Sequence, residues 1–170
     1  MNTREILQDA FERVRSGAQS AVDGLSLDEI AKRPDDEANT IAWLVWHLAR
    51  VQDHHVSDLA GRPQAWVTGG WSDRFGTDSD PENTGFGHGP EDVAGIKPES
   101  IESLLAYQAA AHDLTLEYVV TIDEAELDRI VDRRWDPPVT AGVRLVSVIN
   151  DAMQHVGQAN YLKGLIERGL

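Results

Sequence analysis

The chain contains no cysteine among its 170 residues. This absence excludes a disulfide framework, a zinc site built from thiolates and a catalytic thiol supplied by the protein itself. Basic residues are also few, since 15 Lys and Arg stand against 29 Asp and Glu and give a formal net charge of -14. Because attraction to phosphate supplies most non-specific affinity for nucleic acids, an acidic chain without a basic stripe is not expected to bind them.

Long apolar runs are missing as well. The two most apolar stretches are interrupted by His47 and Arg50 in one case and by Asp151 and His155 in the other, so neither reaches the length that a membrane helix needs. The N-terminus enters an amphipathic pattern directly and lacks the apolar middle of a signal peptide. We therefore expect a cytoplasmic protein with no membrane partner, organised as a single domain over residues 1–170.

Four long segments carry the hydrophobic spacing of amphipathic helices. They cover roughly residues 3–23, a stretch from Asn39 or Thr40 to just before Gly61, a stretch that opens at 98–100 and passes Tyr118, and residues 141–168. Asn2 is a plausible cap for the first of them. No segment shows convincing alternation of apolar and polar residues. The pattern predicts an all-α protein, a four-helix bundle.

Residues 61–97, between the second and third long helices, form an unusual connection. They hold eight of the 14 glycines and four aromatic side chains, namely Trp66, Trp71, Phe75 and Phe86. Irregular segments of this length in compact domains are functional lids or packed excursions. Because disordered segments are poor in aromatic residues, the composition predicts that this segment folds against the bundle.

Asp151 and His155 are four residues apart, so a helix places one above the other, where both can hold one ion. His155 also belongs to an apolar stripe that faces inward: Val148, Ala152, Ala159, Leu162 and Ile166. A buried imidazole beside a carboxylate needs a partner, and a cation suits both. The alternative is an exposed helical pair that contributes only a few tenths of a kcal/mol. Spacing alone does not decide between the two.

The other histidines give weaker signals when each is taken singly. On spacing alone, His47 is a core-edge residue of the second helix, and it reaches Asp151 and His155 only if their helices pack side by side. His54 and His55 are expected to be polar flank residues, with His54 the reserve ligand. His88 is expected to face solvent from a glycine-rich loop.

Three motifs together resemble the DinB/YfiT-like superfamily. They are Ile41-Ala-Trp43-Leu-Val-Trp46-His47-Leu-Ala-Arg50, Leu59-Ala-Gly61 and Asp151-Ala-Met-Gln-His155-Val-Gly157-Gln158-Ala. Within that superfamily, the likeness is greatest to the actinobacterial branch that contains mycothiol-dependent maleylpyruvate isomerase. It covers most of the chain, including the order of the helices and the long 61–97 connection.

The resemblance implies a divalent metal ion, zinc or alternatively nickel, held by three side chains in a four-helix bundle. One ligand is a histidine of the second long helix, which matches His47, and two lie four residues apart on the last helix, which match Asp151 and His155. The isomerase branch has Glu-x-x-x-His at the latter pair, and this chain has the shorter aspartate. The resemblance thus implies the metal ligands His47, Asp151 and His155.

Characterised members of the superfamily use low-molecular-weight thiols in transfer or isomerisation reactions, and many members have no demonstrated activity. The resemblance therefore implies a metal-dependent S-transferase or isomerase with mycothiol or a similar thiol as cosubstrate, an electrophilic small molecule as substrate and pairing into homodimers. Three protein ligands leave an open position, as in catalytic sites, and a thiol bound there is deprotonated and becomes nucleophilic. The alternative is a non-catalytic bundle, structural or stress-associated, that the metal stabilises.

Overall fold

Nine helices and one short β-ribbon follow one another in the computed structural model, which describes residues 1–170. In chain order the elements are α1 (Thr3–Val22), α2 (Leu27–Ile30), α3 (Ile41–Ala60), α4 (Ala65–Thr68), α5 (Trp71–Phe75), α6 (Pro90–Gly95), α7 (Ile101–Val119), α8 (Glu124–Asp128), β1 (Ile130–Asp132), β2 (Val139–Thr140) and α9 (Ala141–Ile166). The four long helices α1, α3, α7 and α9 pack on one another. The prediction of an all-α four-helix bundle with a long connection between its second and third helices is confirmed.

Capping side chains explain where the long helices begin. Asn2 accepts a hydrogen bond from the backbone N–H of Glu5, and the Glu5 carboxylate accepts one from the N–H of Asn2, a complete capping box. Thr40 caps α3 in the same way as Thr140 caps α9. Ser100 caps α7, so this helix starts after the 98–100 segment that the sequence indicated as its opening.

Two short strands depart from the sequence prediction, which found no strand. β1 and β2 pair antiparallel, with Ile130 opposite Thr140. With three and two residues, they are too short to display the alternation by which strands are predicted. They bring residues 132–139 to the start of α9.

The bundle places α3 and α9 side by side. Each of them contacts a long helix on its other flank, because α3 also packs on α7 and α9 also packs on α1, whereas α1 and α3 barely touch. The pair runs antiparallel: His47 lies near Asp151, and His55, two turns further along α3, is hydrogen-bonded to Arg144 near the start of α9. The seam between α3 and α9 therefore carries the histidines of both motifs.

Residues 61–97 fold against α3 and α7, as their aromatic content predicts. The Trp66 and Phe75 side chains are buried and pack edge-on against Tyr107 of α7. Phe86 is the exception, since it is 93% exposed. No helix of the structure has both the length and the apolar character needed to cross a membrane.

A buried arginine fastens this segment to α3. The Arg50 guanidinium is fully buried and donates hydrogen bonds to the carbonyl oxygens of Pro81 and Asn83 at 2.8 and 2.9 Å. It also bonds the Gln64 side chain and lies over the Trp66 ring. One side chain of α3 thereby holds two separate parts of the 61–97 segment.

Candidate metal centre

The structure brings His47, Asp151 and His155 together at the α3–α9 seam. One ligand atom from each lies within 4.8 Å of the other two. The nearer Asp151 oxygens are 3.9 Å from Nε2 of His47 and 3.6 Å from Nε2 of His155. These separations are slightly wider than the roughly 3.4 Å between ligand atoms around a tetrahedral zinc ion with bonds of about 2.1 Å. Each carboxylate oxygen faces one imidazole, Oδ2 that of His47 and Oδ1 that of His155.

Hydrogen bonds orient both imidazoles with Nε2 towards Asp151. Nδ1 of His47 is 2.5 Å from the carbonyl oxygen of Thr84, to which it donates, and this contact leaves the lone pair on Nε2. Nδ1 of His155 is 2.8 Å from Oε1 of Gln158, which fixes the same tautomer. Metal-binding histidines are typically held in this way by a carbonyl or carboxylate at the opposite ring nitrogen.

A buried oxygen without a partner supports the fit of a cation. Oδ2 of Asp151 is inaccessible to solvent and accepts no hydrogen bond, an arrangement that costs free energy unless a cation or donor compensates it. His47 does not serve as a charged partner, because burial lowers its pKa and keeps it neutral at pH 7. The donor set of two imidazoles and one carboxylate suits zinc or another divalent transition metal.

Protonation states at the site are close to those that a metal needs. Burial opposes ionisation of Asp151, but its contacts with His155 and His47 outweigh burial and lower its pKa. Burial also works to lower the pKa of His155, and its contacts with Asp151 and Gln158 raise it overall. His47 and Asp151 are therefore in the form that binds a cation at neutral pH. His155, whose pKa is raised, carries a proton in a larger fraction of molecules and has to release it before it can bind a metal.

The remaining histidines lie outside this group of ligand atoms. Nδ1 of His54 faces the Pro81 carbonyl, 3.2 Å away. His112 is fully buried on α7, where Nε2 is 3.3 Å from a Glu12 carboxylate oxygen, although the angle does not make a hydrogen bond.

The prediction that His88 faces solvent is wrong. Its ring is half-buried, stacks on Trp46 with centroids 5.7 Å apart and accepts a hydrogen bond from Nε1 of Trp43. Its Nε2 donates to Oδ1 of Asn83 at 2.9 Å. The error arose because the two tryptophans that hold His88 are far from it in the sequence.

Gly85 allows the loop to approach His47 closely. Its φ of +90° lies in the region that side chains disfavour. A Cβ added there would lie 2.8 Å from the Trp46 ring and 3.0 Å from Nδ1 of His47. The glycine therefore lets the Thr84 carbonyl reach the imidazole.

We expect Gly85→Ala to displace Thr84 from His47 and to weaken metal binding about 10–100-fold, the range for loss of a partner that orients a metal ligand. Competition against a chromophoric chelator measures this affinity. Gly87→Ala is the matched control, because Gly87 also has a positive φ but an added Cβ there would meet nothing within 4 Å. Equal affinities in the two variants would show that the Thr84 contact does not support the site.

His47 and Asp151 line an open cleft of about 450 Å³, and His155 lies beside them but outside its lining. Its other walls come from α3, the 61–97 segment, the β-ribbon and the first turns of α9; they include His55, Phe86, Asp132, Arg134, Trp135 and Arg144. The sequence did not reveal four neighbours of the site, namely Thr84, Gly85, Arg144 and Gln158. Of these, only Gln158 carried a signal, because it stands one turn after His155 on the same helix.

Comparisons with known proteins agree with this architecture. A sequence profile described as the DinB superfamily matches residues 10–159. A search of curated proteins gave no match. Among solved structures, the chain is similar to one titled a conserved protein of locus from Enterococcus faecalis, with 31% sequence identity, a TM-score of 0.88 and 96% of each chain covered. The family match over most of the chain, on a four-helix bundle with clustered histidines, shows that this protein belongs to the DinB superfamily.

Proposed function

We propose that the protein is a cytoplasmic, metal-dependent S-transferase or isomerase that uses a low-molecular-weight thiol such as mycothiol. His47, Asp151 and His155 would hold the ion, zinc or alternatively nickel. We also propose that it belongs to the branch of the superfamily that contains mycothiol-dependent maleylpyruvate isomerase. Its nucleophile has to be supplied by a second molecule, because the chain has no cysteine.

One observation carries the proposal: two of the three proposed ligands, His47 and Asp151, line an open cleft. The Asp151 side chain is 39% exposed and the cleft beside it holds about 450 Å³, which lies within the range of small-molecule sites. Structural zinc sites are closed by four protein ligands, whereas catalytic sites keep three and leave a position for a ligand. The arrangement of three side chains beside a cleft is typical of the second class.

The residues of the site have separate tasks in such a reaction. A divalent ion there would lower the pKa of a coordinated thiol, because cations stabilise its deprotonated form. His47 is held rigidly, since its ring stacks on Trp43 with centroids 4.5 Å apart and donates to the Thr84 carbonyl. The more exposed Asp151 borders the cleft, and His155 stands one helical turn away from Asp151. The electrophile would enter between the 61–97 segment and the start of α9.

Cobalt substitution tests the proposal against the alternative of a bundle that metal merely stabilises. We expect Co²⁺ to bind at one ion per chain and mycothiol to shift its visible spectrum and add a sulfur-to-cobalt charge-transfer band, because the thiol occupies the open position. The disulfide form of the thiol, which has no free sulfhydryl, is the control. If cobalt binds at one ion per chain and its visible spectrum does not change when the thiol is added, the result would favour the metal-stabilised bundle and contradict thiol-dependent catalysis.

A further inference from the structure

The cleft beside the three proposed ligands contains a pair of arginines that the proposed metal chemistry does not use. Arg144 lies in the first turn of α9, and Arg134 lies in the connection between β1 and β2. Both line the same cleft as His47 and Asp151. Their surroundings indicate what that part of the cleft binds.

Asp132 forms its closest hydrogen bonds with Arg134. Its carboxylate accepts hydrogen bonds from Nε and Nη2 of Arg134 at 3.0 and 2.7 Å and from the Arg134 backbone N–H at 2.9 Å. The resulting charge-assisted bonds hold the pKa of Asp132 well below its usual range. By contrast, the nearest nitrogen of Arg144 is 3.5 Å from Asp132. Asp132 therefore binds Arg134 closely and contacts Arg144 only weakly.

Arg144 keeps donors available. Nη1 donates to Nδ1 of His55 at 3.0 Å, and burial followed by the Arg144 charge lowers the pKa of His55 to about 4, so this acceptor is neutral. With the long contact to Asp132, Arg144 uses two of its five N–H groups on protein atoms. Arg144 also lies in the first turn of α9, and the N-terminal end of a helix favours anions.

The rim of the cleft adds an apolar component. Phe86 is 93% exposed and Trp135 is 66% exposed, and both line the cleft. Large exposed aromatic side chains beside a cavity are typical of a ligand-binding surface. In a chain with a formal net charge of -14, the two arginines of the cleft balance its two carboxylates, Asp132 and Asp151, so this region repels anions less than the rest of the surface does.

We propose that this part of the cleft binds the carboxylate of a small organic substrate, with Arg144 as the main anchor, Arg134 beside it and the apolar portion of the molecule against Trp135 and Phe86. The inference rests on the proposed function in one respect: it assigns the electrophile of that reaction to the class of carboxylates. An arginine fork matches a carboxylate in two hydrogen bonds, which gives both affinity and orientation.

Benzoate is the probe, because it combines a carboxylate with a flat ring, and benzamide is its uncharged control. Binding is followed by nuclear magnetic resonance, which detects weak ligands, in metal-free and zinc-loaded protein. We expect benzoate to bind both forms and benzamide to bind at least tenfold more weakly. Arg144→Gln should raise the dissociation constant of benzoate at least tenfold and leave the zinc content unchanged.

Two further variants separate charge from folding. Arg144→Lys keeps a cation and should retain part of the affinity, and Arg13→Gln makes the same change in charge on the exposed face of α1, where Arg13 pairs with Asp9, and should have no effect. Equal binding of benzoate and benzamide, or benzoate binding that depends on zinc but not on Arg144, would overturn the carboxylate subsite. Failure of the parent to bind zinc, with benzoate still dependent on Arg144, would instead contradict the proposed metal function alone.

Discussion

Replacing His155 with alanine is expected to abolish stoichiometric zinc binding while the bundle stays folded. The variant removes one of three imidazole or carboxylate ligands and leaves His47 and Asp151, which cannot complete a zinc site without further protein groups. Because loss of an orienting partner alone costs 10–100-fold, loss of a ligand should weaken binding by at least about 100-fold. Atomic emission after dialysis gives the metal content, and circular dichroism reports folding.

His54→Ala is the matched control, because His54 is a second histidine of α3 that the sequence left open as a reserve ligand. Its Nδ1 faces the Pro81 carbonyl, and it does not belong to the group of three ligand atoms. This variant should bind zinc as the parent does. Equal zinc content in the two variants would show that His155 is not a ligand. Loss of zinc from His54→Ala alone would show that the site lies nearer to the 61–97 segment.

Arg50→Met is expected to lower the free energy of unfolding by about 3–5 kcal/mol, the cost of removing one partner from a buried charge pair. The guanidinium lies 3.7 Å from the fully buried Asp53 carboxylate, and its loss would also leave the Asn83 carbonyl oxygen without its donor. Urea denaturation followed by circular dichroism measures the change.

Arg13→Met provides the comparison for this stability experiment. Arg13 pairs with Asp9 on the exposed face of α1, and exposed pairs add little to stability. A change below about 1 kcal/mol in Arg50→Met would mean that other groups, such as the two backbone N–H donors and the Tyr107 hydroxyl that bind Asp53, carry the network without Arg50.

The features of the fold that depend only on residues close together in the sequence could be predicted. The caps at Asn2 and Thr40 and the spacing of Asp151 and His155 are local, because helix geometry alone relates residues a few positions apart. The place of His47 beside that pair depends on α3 packing against α9, and periodicity could not supply it. The resemblance to a known superfamily did.

The loop contacts could not be predicted, because they depend on the path of residues 61–97 over the bundle. The glycine-rich sequence around Gly85 indicated a turn but not that its backbone would lie against His47. His88 was assigned to solvent for the same reason. Arg144 gave no signal, since its partners His55 and Asp132 meet it only through the α3–α9 packing and the short β-ribbon.

The position of the proposed ligands on two helices that are far apart in the sequence has a mechanical consequence. His47 belongs to the second long helix and Asp151 and His155 to the last, so one bound ion would join distant parts of the chain in the folded state, a link that the unfolded chain lacks. Ligand binding to the folded state alone raises stability with the free ligand concentration. The melting temperature would then act as a gauge of metal occupancy, able to rank candidate metals without any knowledge of the substrate.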